Sequence, residues 1–217
     1  FAGGVVLDPH PKKHKGVAED VVRSLNRIAE GGPMASIEEI IRLSGEVEVS
    51  EKTLWRRVKC SKEELLSTIK ALESQSIIIQ VREQQESAWL HHEPAQTIQN
   101  RAIGLISSFH EIYPTRVGMP REELRSRLRY DLDADVMDSI LKPLLSEKKL
   151  KASSDTYSRF KFEPKVEGKT AELLQKLLTL YLENRLEPPL HSDCSTLLGV
   201  TANEVKEASD VLIRQGK

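Results

Sequence analysis

A short stretch in the middle of the chain, Gly118–Leu128, most constrains the fold. It reads Gly-Met-Pro-Arg-Glu-Glu-Leu-Arg-Ser-Arg-Leu. Pro120 suits the first helical position, because the N–H that proline lacks would have no partner there. Two glutamates follow where the helix dipole favours negative charge, and Leu124 and Leu128 are spaced to share one buried face. The stretch therefore predicts a short helix over Pro120–Arg129, entered through a tight turn.

The segments on either side of this helix have their own periodic patterns. Apolar residues spaced three and four apart predict a long helix before it and a third helix after it. Pro143 falls inside the third helix, so we expect a kink there. Strands at Leu150–Ser153 and Tyr157–Phe162 then form a hairpin with Phe160 and Phe162 on one face. Three helices followed by a β-hairpin is the winged-helix plan. The apolar positions are Ile98, Ala102, Leu105, Ile106, Phe109, Ile112 and Tyr113 in the first helix, and Val136, Met137, Ile140, Leu141 and Leu144 in the third.

A similar helix order recurs before and after this region. The predicted third helices begin at Ser61, Asp133 and Thr201, which are 72 and 68 residues apart. A nearly fixed interval indicates tandem copies of one unit. We therefore predict a mainly α (α+β) chain of tandem winged-helix modules that form an elongated arm. The predicted parts are the end of a preceding β-barrel and a basic linker (1–15), module 1 (16–93), module 2 (94–166) and module 3 without its wing (167–217).

The outer modules are predicted in less detail. In module 1, one helix ends at Gly31-Gly32-Pro33, and Ser36 is predicted to cap the next. An extra helical turn is predicted at Lys52–Val58, and Ser61 with Glu64 forms a capping box for the third helix. The predicted wing strands are Ser76–Val81 and Ala88–His91. In module 3, helices are predicted around Ala171–Tyr181 and Thr201–Gly216, on either side of a break at Pro188-Pro189.

Several of these motifs resemble one known family. The segments Phe109-His-Glu-Ile-Tyr-Pro114 and Arg116–Leu128 closely resemble the second winged-helix repeat of bacterial selenocysteine-specific elongation factors. The segment Gly3–Pro9 resembles the junction where the last β-barrel of the factor-Tu-like half ends. Glu187-Pro-Pro189, with Leu197-Leu-Gly199, resembles the third repeat. The likeness extends over nearly the whole chain, and the central motif is its most specific part.

The resemblance implies a GTP-dependent factor that carries selenocysteinyl-tRNA to the ribosome. The C-terminal tail of such a factor grips an mRNA hairpin downstream of an in-frame UGA codon, mainly through a fourth repeat that this chain does not reach. This chain would then link the tRNA-carrying half to the hairpin-binding tip. GTP and Mg²⁺ would bind upstream. The first residue is Phe rather than Met, so we expect a fragment, and we expect it to be monomeric.

Composition indicates in which cellular compartment the protein works and which classes of partner it binds. The formal net charge is −1, with 32 Lys and Arg against 33 Asp and Glu, so no global charge attracts nucleic acid or membranes. The longest apolar run is far shorter than the roughly 20 residues that span a bilayer. Two cysteines fit a reducing compartment. We expect a cytoplasmic protein with no membrane contact.

The sequence predicts no catalytic site, metal site or cofactor within this chain. No Gly-x-x-x-x-Gly-Lys-Ser/Thr loop is present to cradle phosphates. The run His91-His92-Glu93 lacks the spacing and the partner cysteines of a zinc site. Cys60 and Cys194 stand alone and suit small buried hydrophobic positions. We therefore expect no enzymatic activity here.

The predicted third helices argue against the usual groove-reading mode. A helix that reads nucleic acid should be basic. The three segments, Ser61–Ser74, Asp133–Glu147 and Thr201–Gln215, together carry ten acidic and five basic residues. Their charge would repel phosphate.

Basic residues concentrate instead on the second helix and the wing of module 2. They suggest a surface that follows phosphates, with Tyr157 on the outer face of the last strand and available to stack on a base. The alternative is a solvated surface on which arginines pair with Glu122, Glu123 or neighbouring acids. The RNA-contact candidates are Arg121, Arg125, Arg127, Arg129, Lys148, Lys149, Lys151, Tyr157, Arg159 and Lys161.

Two other functions remain open at this point. A winged-helix chain could be a nucleic-acid-binding transcription regulator or a protein-interaction scaffold, because so widespread a fold does not fix function. A GTP-binding loop and two β-barrels upstream would distinguish the elongation factor from both.

Overall fold

The structure is a computed structural model that describes residues 3, 6, 19–83, 86–129, 131–164, 168–184 and 187–214. The predicted barrel end and linker at 1–15 lie almost entirely outside these residues. Contacts divide the chain into two compact units. The first unit contains Phe1–Ile103 and Glu122–Lys148, and the second contains Gly104–Arg121 and Lys149–Lys217.

The described residues are mainly helical, with two small antiparallel sheets, which confirms the predicted α+β winged-helix class. No described helix has the length and apolar character that crossing a bilayer requires. The elements are α1 (Glu19–Glu30), α2 (Gly32–Leu43), β1 (Val49–Ser50), α3 (Glu51–Arg57), α4 (Lys62–Ser74), β2 (Ile78–Arg82), β3 (Ala88–His91), α5 (His92–Ile112), β4 (Met119–Pro120), α6 (Arg121–Leu128), α7 (Ala134–Ser146), β5 (Leu150–Ala152), β6 (Thr156–Arg159), α8 (Lys169–Glu183), α9 (His191–Leu198) and α10 (Ala202–Arg214).

The two sheets have the same strand order, β1-β3-β2 and β4-β6-β5. In each, a two-residue strand immediately precedes a short helix and pairs with the last strand of its wing. This repeated order makes α2, α3 and α4 equivalent to α5, α6 and α7. The helix predicted as an extra turn at Lys52–Val58 is therefore α3, the second helix of its module, and α1 is the additional element.

Local sequence explains where the helices of the first unit begin. The Ser61 hydroxyl accepts the Glu64 N–H (3.1 Å) at the start of α4, which is the Ser61 half of the predicted capping box. The predicted cap at Ser36 is wrong, because α2 already begins at Gly32. There Gly32 takes a positive φ of 66° and a proline follows in the first turn, so the chain restarts a helix after a very short break. Ser36 lies inside α2, and its hydroxyl donates to the Gly32 carbonyl.

The first unit has a core between α2, α3, α4 and its sheet. Trp89 is buried in this core, and its indole N–H donates to the Glu73 carboxylate (2.8 Å), which satisfies the one polar group of the ring. The wing strands β2 and β3 confirm the predicted pair. The apolar members of the core are Ile37, Ile40, Ile41, Val49, Leu54, Val58, Leu65, Ile69, Leu72, Ile78 and Trp89.

The second unit has a smaller core between α8, α9 and α10. Helices α8 and α10 lie close to their predicted limits, whereas α9 was not predicted. Cys194 lies fully buried among the three helices, as expected for a small hydrophobic side chain. Thr201 and Glu204 form a capping box at the start of α10: the Thr201 N–H donates to the Glu204 carboxylate (2.8 Å), and the Glu204 N–H donates to the Thr201 hydroxyl (3.3 Å). The apolar residues of this core include Leu174, Leu177, Val205, Val211 and Leu212.

The middle of the chain differs from its prediction in two places. Pro120 belongs to β4, where it pairs with Thr156, and α6 begins one residue later. A proline tolerates this edge strand because the edge needs no N–H from it. Gly118 precedes the strand, and a Cβ there would lie 2.6 Å from the Tyr157 carbonyl oxygen, so only glycine fits. Helix α7 runs through Pro143 to Ser146, and the expected kink stays a prediction.

Candidate nucleic-acid interface

Helix α7, the third helix of the middle module, packs against strand β2 within the first unit. The Arg82 guanidinium lies between the two elements: it bonds to Asp133 and forms an ion pair with Glu48 (3.2 Å). On α5, the Gln99 side chain donates to the Ile140 carbonyl (2.8 Å). Because a groove-reading helix must present a free face, this packing together with the acidic charge of α7 argues against that role.

The arginines of α6 pair with acids on the same helix. Arg125 binds Glu122 (2.8 Å), and its guanidinium also donates to the Leu132 carbonyl (2.8 Å). Arg127 pairs with Glu123 (2.7 Å). These pairs have the spacing of neighbours on a helix surface. They match the alternative interpretation, in which the arginines are satisfied within the protein.

Arg129 lies just after α6 and is the most enclosed of these cations, with a side chain 20% exposed. It donates to the Glu46 carbonyl, lies 3.7 Å from Glu48 and pairs with Asp131 (2.9 Å). The Glu46 carboxylate in turn binds Arg101 (2.6 Å). These contacts neutralise Arg129 within the first unit.

The second unit carries the basic wing. The Arg121 side chain donates to the Ser154 carbonyl (3.4 Å), and that of Arg159 donates to the Ser107 hydroxyl (2.9 Å). The Lys151 ammonium donates to the Phe162 carbonyl (2.9 Å). Both Lys149 and Lys161 are exposed. Tyr157 is the remaining RNA-contact candidate in the second unit. Lys148, another candidate, belongs to the first unit and is exposed. The bonds of Lys151 and Arg159 thus go to uncharged oxygen atoms, which do not offset the positive charge of these side chains.

The prediction that Tyr157 lies on the outer face is wrong. Its side chain is 2% exposed, and the Arg121 guanidinium lies over its ring, 5.4 Å from the centroid. The prediction had placed Tyr157 on the outer face of the last strand of a hairpin. The strand ends at Arg159, and Phe160 then lies in a turn with 42% of its surface exposed. The exposed aromatic of the wing is Phe160, which the sequence analysis had placed with Phe162.

Residues 103–156 match the family model described as elongation factor SelB, winged helix. The match contains the last ten residues of α5 and all of β4, α6, α7 and β5. This segment is a winged-helix domain of a SelB-like elongation factor. The match supports a role related to selenocysteine elongation factors. No curated protein matches the chain.

In the SelB-like domain and the residues that follow it, His110 holds the wing to α5 within the second unit. Its Nε2 accepts the Arg159 N–H (3.3 Å), and its ring stacks on Phe162 with centroids 3.5 Å apart. Burial lowers the pKa of His110, and the charges of Lys151 and Arg159 lower it further. The imidazole is therefore neutral at physiological pH, as the acceptor role of Nε2 requires. Sequence reasoning missed this residue, although it lies in the quoted segment beginning at Phe109.

The histidine pair at His91-His92 and Cys60, for which the sequence predicts no metal or catalytic role, lie in the following surroundings. His91 is buried, and its Nδ1 accepts the Glu93 N–H (3.3 Å). Burial and the neighbouring His92 lower the pKa of His91. Burial also raises the pKa of the Cys60 thiol. Among the described residues, no three His, Cys, Asp or Glu side chains are placed to hold a metal ion.

Proposed function

We propose that this chain is part of a translation elongation factor that inserts selenocysteine at in-frame UGA codons. The tandem winged-helix modules connect the half of the factor that binds GTP and selenocysteinyl-tRNA to the module that grips an mRNA hairpin. GTP and Mg²⁺ bind upstream, and this chain has no catalytic activity or cofactor of its own. The factor works as a monomer in the cytoplasm and meets the tRNA and the ribosome through its other parts.

The single observation that carries this proposal is the match of residues 103–156 to the SelB winged helix. The packing of α7 against β2 supports a connecting role, because the helix that would read a groove in a regulator is engaged by the preceding module. The same contact argues against the alternative that the chain is a transcription regulator, because such a regulator needs this helix free to enter a groove.

The wing of the middle module contributes contacts to RNA phosphates in this proposal. Its cations are Lys149, Lys151, Arg159 and Lys161; of these, Lys151 and Arg159 donate to uncharged oxygen atoms, which do not offset their positive charge. Phosphate contacts position a protein without reading sequence. The wing therefore strengthens binding to any RNA that the hairpin-binding module selects.

A genetic experiment tests the proposed function. In the native host, a reporter carries an in-frame UGA codon followed by the hairpin of a host selenoprotein gene. Deleting the gene that encodes this chain should abolish selenium-dependent read-through, and restoring the gene should recover it. A reporter with UGG in place of UGA controls for expression. Read-through that persists in the deletion strain would refute the proposal.

A binding experiment tests the division of labour. Residues 1–217 alone should bind the hairpin weakly and with little preference over a scrambled RNA of the same length. Submicromolar binding at physiological salt that scrambled RNA competes poorly would show that the main hairpin site lies within this chain.

A further inference from the structure

The outward face of α3 in the first unit combines an exposed tryptophan with an excess of positive charge. We propose that this face binds a single-stranded RNA segment: an unpaired base stacks on Trp55, and nearby cations pair with the adjoining phosphates. We call it the α3 patch and define it as Lys52, Trp55 and Arg56 of α3, together with Lys59 just beyond the end of the helix. The inference goes beyond the proposed function and does not depend on it.

The packing of α3 against the core does not require Trp55. The helix is held to the core through Leu54 and, just beyond its end, Val58, which are both buried. The Trp55 side chain is not part of that core: Trp55 is 46% exposed, whereas Trp89 is 4% exposed. An indole that is half in water offers a flat, rigid face at little conformational cost, which is the kind of surface that stacks on bases.

The charge around Trp55 selects the partner. Residues 51–62 contain five basic residues and one acid, Glu51, in a chain whose formal net charge is −1. Glu51 lies 3.8 Å from Lys62. In the described residues, Lys52, Arg56 and Lys59 are exposed and have no ion-pair partner. A patch for an apolar protein surface would have hydrophobic neighbours at these positions, whereas cations beside an aromatic ring suit a nucleic acid.

Comparison with α6 strengthens this assignment. The two helices are equivalent by strand order, and both are basic. On α6, two glutamates within the helix neutralise Arg125 and Arg127. On α3, no acid in the described part of the chain forms an ion pair with Arg56. The positive potential is therefore greater on α3 than on α6, although the sequence analysis had placed candidate RNA contacts on α6.

Acidic residues nearby restrict where the RNA backbone can run. Trp55 lines a cleft together with three acids, Glu51, Glu83 and Glu86, and two lysines, Lys52 and Lys62. Neither Arg56 nor Lys59 lines that cleft. A phosphate would be repelled from the cleft and drawn to Arg56 and Lys59, so we expect about two phosphate contacts at this patch rather than a long track.

Intrinsic fluorescence gives a direct assay, because the chain has only two tryptophans. An unstructured RNA of about 12 nucleotides, within the usual range of single-strand site sizes, is titrated into residues 1–217. Stacking should quench Trp55 and leave the buried Trp89 unchanged. Trp55→Phe should remove the quenching but retain much of the affinity, measured with a labelled RNA. Trp55→Ala should weaken binding about 5- to 100-fold, the usual range for one stacked base.

Charge reversal provides the second arm. Arg56→Glu with Lys59→Glu should reduce the salt slope of log K by about one to two units, as expected for about two phosphates on a single strand. Lys70→Glu, on the exposed face of α4 in the same unit, is the matched control for changed charge and should leave the slope nearly unchanged. A duplex RNA of the same length should bind more weakly, because its bases cannot stack on the indole.

Several results would overturn the inference. They are absence of RNA binding, quenching that persists in Trp55→Phe, unchanged affinity in Trp55→Ala, equal binding of duplex and single strand, or an equal effect of Lys70→Glu. The UGA reporter tests the proposed function separately. Loss of the α3 patch would leave that proposal intact, and failure of the reporter would leave RNA binding by the patch intact.

Discussion

Glu39 is a fully buried carboxylate in the first unit, and its replacement by glutamine tests how the charges around α2 stabilise the fold. It lies 2.6 Å from the Arg27 guanidinium and 2.7 Å from that of Arg42. Arg42 also donates to the Ser24 hydroxyl (2.5 Å), which ties α1 to α2. Glu39→Gln keeps the shape of the side chain and removes the negative charge between two arginines.

The cost of this change follows from the exposure of the three groups. Removing one partner of a buried ion pair usually costs about 3–5 kcal/mol, because the remaining charge stays desolvated. Here Glu39 is 0% exposed, but the side chains of Arg27 and Arg42 are 51% and 30% exposed and can regain water. We therefore expect Glu39→Gln to reduce the free energy of unfolding of the first unit by about 2–3 kcal/mol.

Urea unfolding followed by tryptophan fluorescence measures this loss, since both tryptophans lie in the first unit. With a denaturant slope of about 2 kcal/mol per molar, the midpoint should fall by about 1 M. Glu63→Gln, on the exposed side of α4, is the matched control and should change the free energy by less than about 0.5 kcal/mol. A loss below about 1 kcal/mol for Glu39→Gln, or an equal loss in the control, would refute the reasoning.

The pH dependence gives an independent check. Burial raises the pKa of Glu39, but hydrogen bonds with Arg42 and Ser24 and the charges of Arg42 and Arg27 outweigh it, so the net pKa lies below its ordinary value. The folded state therefore binds this proton less readily than the unfolded state. Its contribution is complete above the unfolded pKa, about 4.3, and is lost as pH falls through the lower folded pKa. The difference between wild type and Glu39→Gln should persist from pH 7 to 5 and shrink below about pH 4.

Four further outcomes are expected. Leu124→Ala and Leu141→Ala, at two fully buried positions, should each cost about 2–5 kcal/mol in urea unfolding followed by circular dichroism, and losses below about 1 kcal/mol for both would contradict the assigned helix faces. Residues 1–217 should show no micromolar affinity for GTP by calorimetry. Arg159→Ala with Lys161→Ala in the full factor should lower the salt slope of RNA binding by about one to two units while the preference for the cognate hairpin persists, and an unchanged slope would favour a merely solvated wing. Because burial lowers the pKa of His110, the wing should lose stability as pH falls from about 6.5 through the folded pKa. Amide exchange in the wing at pH 5.5 should then be faster than the intrinsic rate explains. The variant His110→Asn should show a smaller pH dependence.

Local sequence predicted the features that depend on neighbours along the chain. The cap at Ser61, the buried leucines of α6 and α7 and the strand pair of the first wing all follow from spacing and capping chemistry. The winged-helix class followed from the order of these elements. Each of them needs only a window of a few turns to be recognised.

The errors arose where a distant strand decided the outcome. Strand β4 pairs with β6, and Arg121, directly after β4, lies over the Tyr157 ring; a two-residue strand leaves almost no pattern in the sequence. The same pairing takes Pro120 out of the helix. Trp55 was overlooked for a related reason: α3 is only seven residues long, and its place in the module becomes evident only when β1 pairs with β3.

The packing of α7 against β2 affects how the modules came to differ during evolution. Copies of a duplicated unit can diverge independently only while each folds alone. Here the wing of one copy and the third helix of the next share a boundary, with Arg82 between Glu48 and Asp133, so substitutions on either side must suit the other. We expect paired exchange at these positions among relatives, with Arg82 lost where the facing acids are lost. Transplanting the middle copy into another protein would leave the face of α7 without its partner.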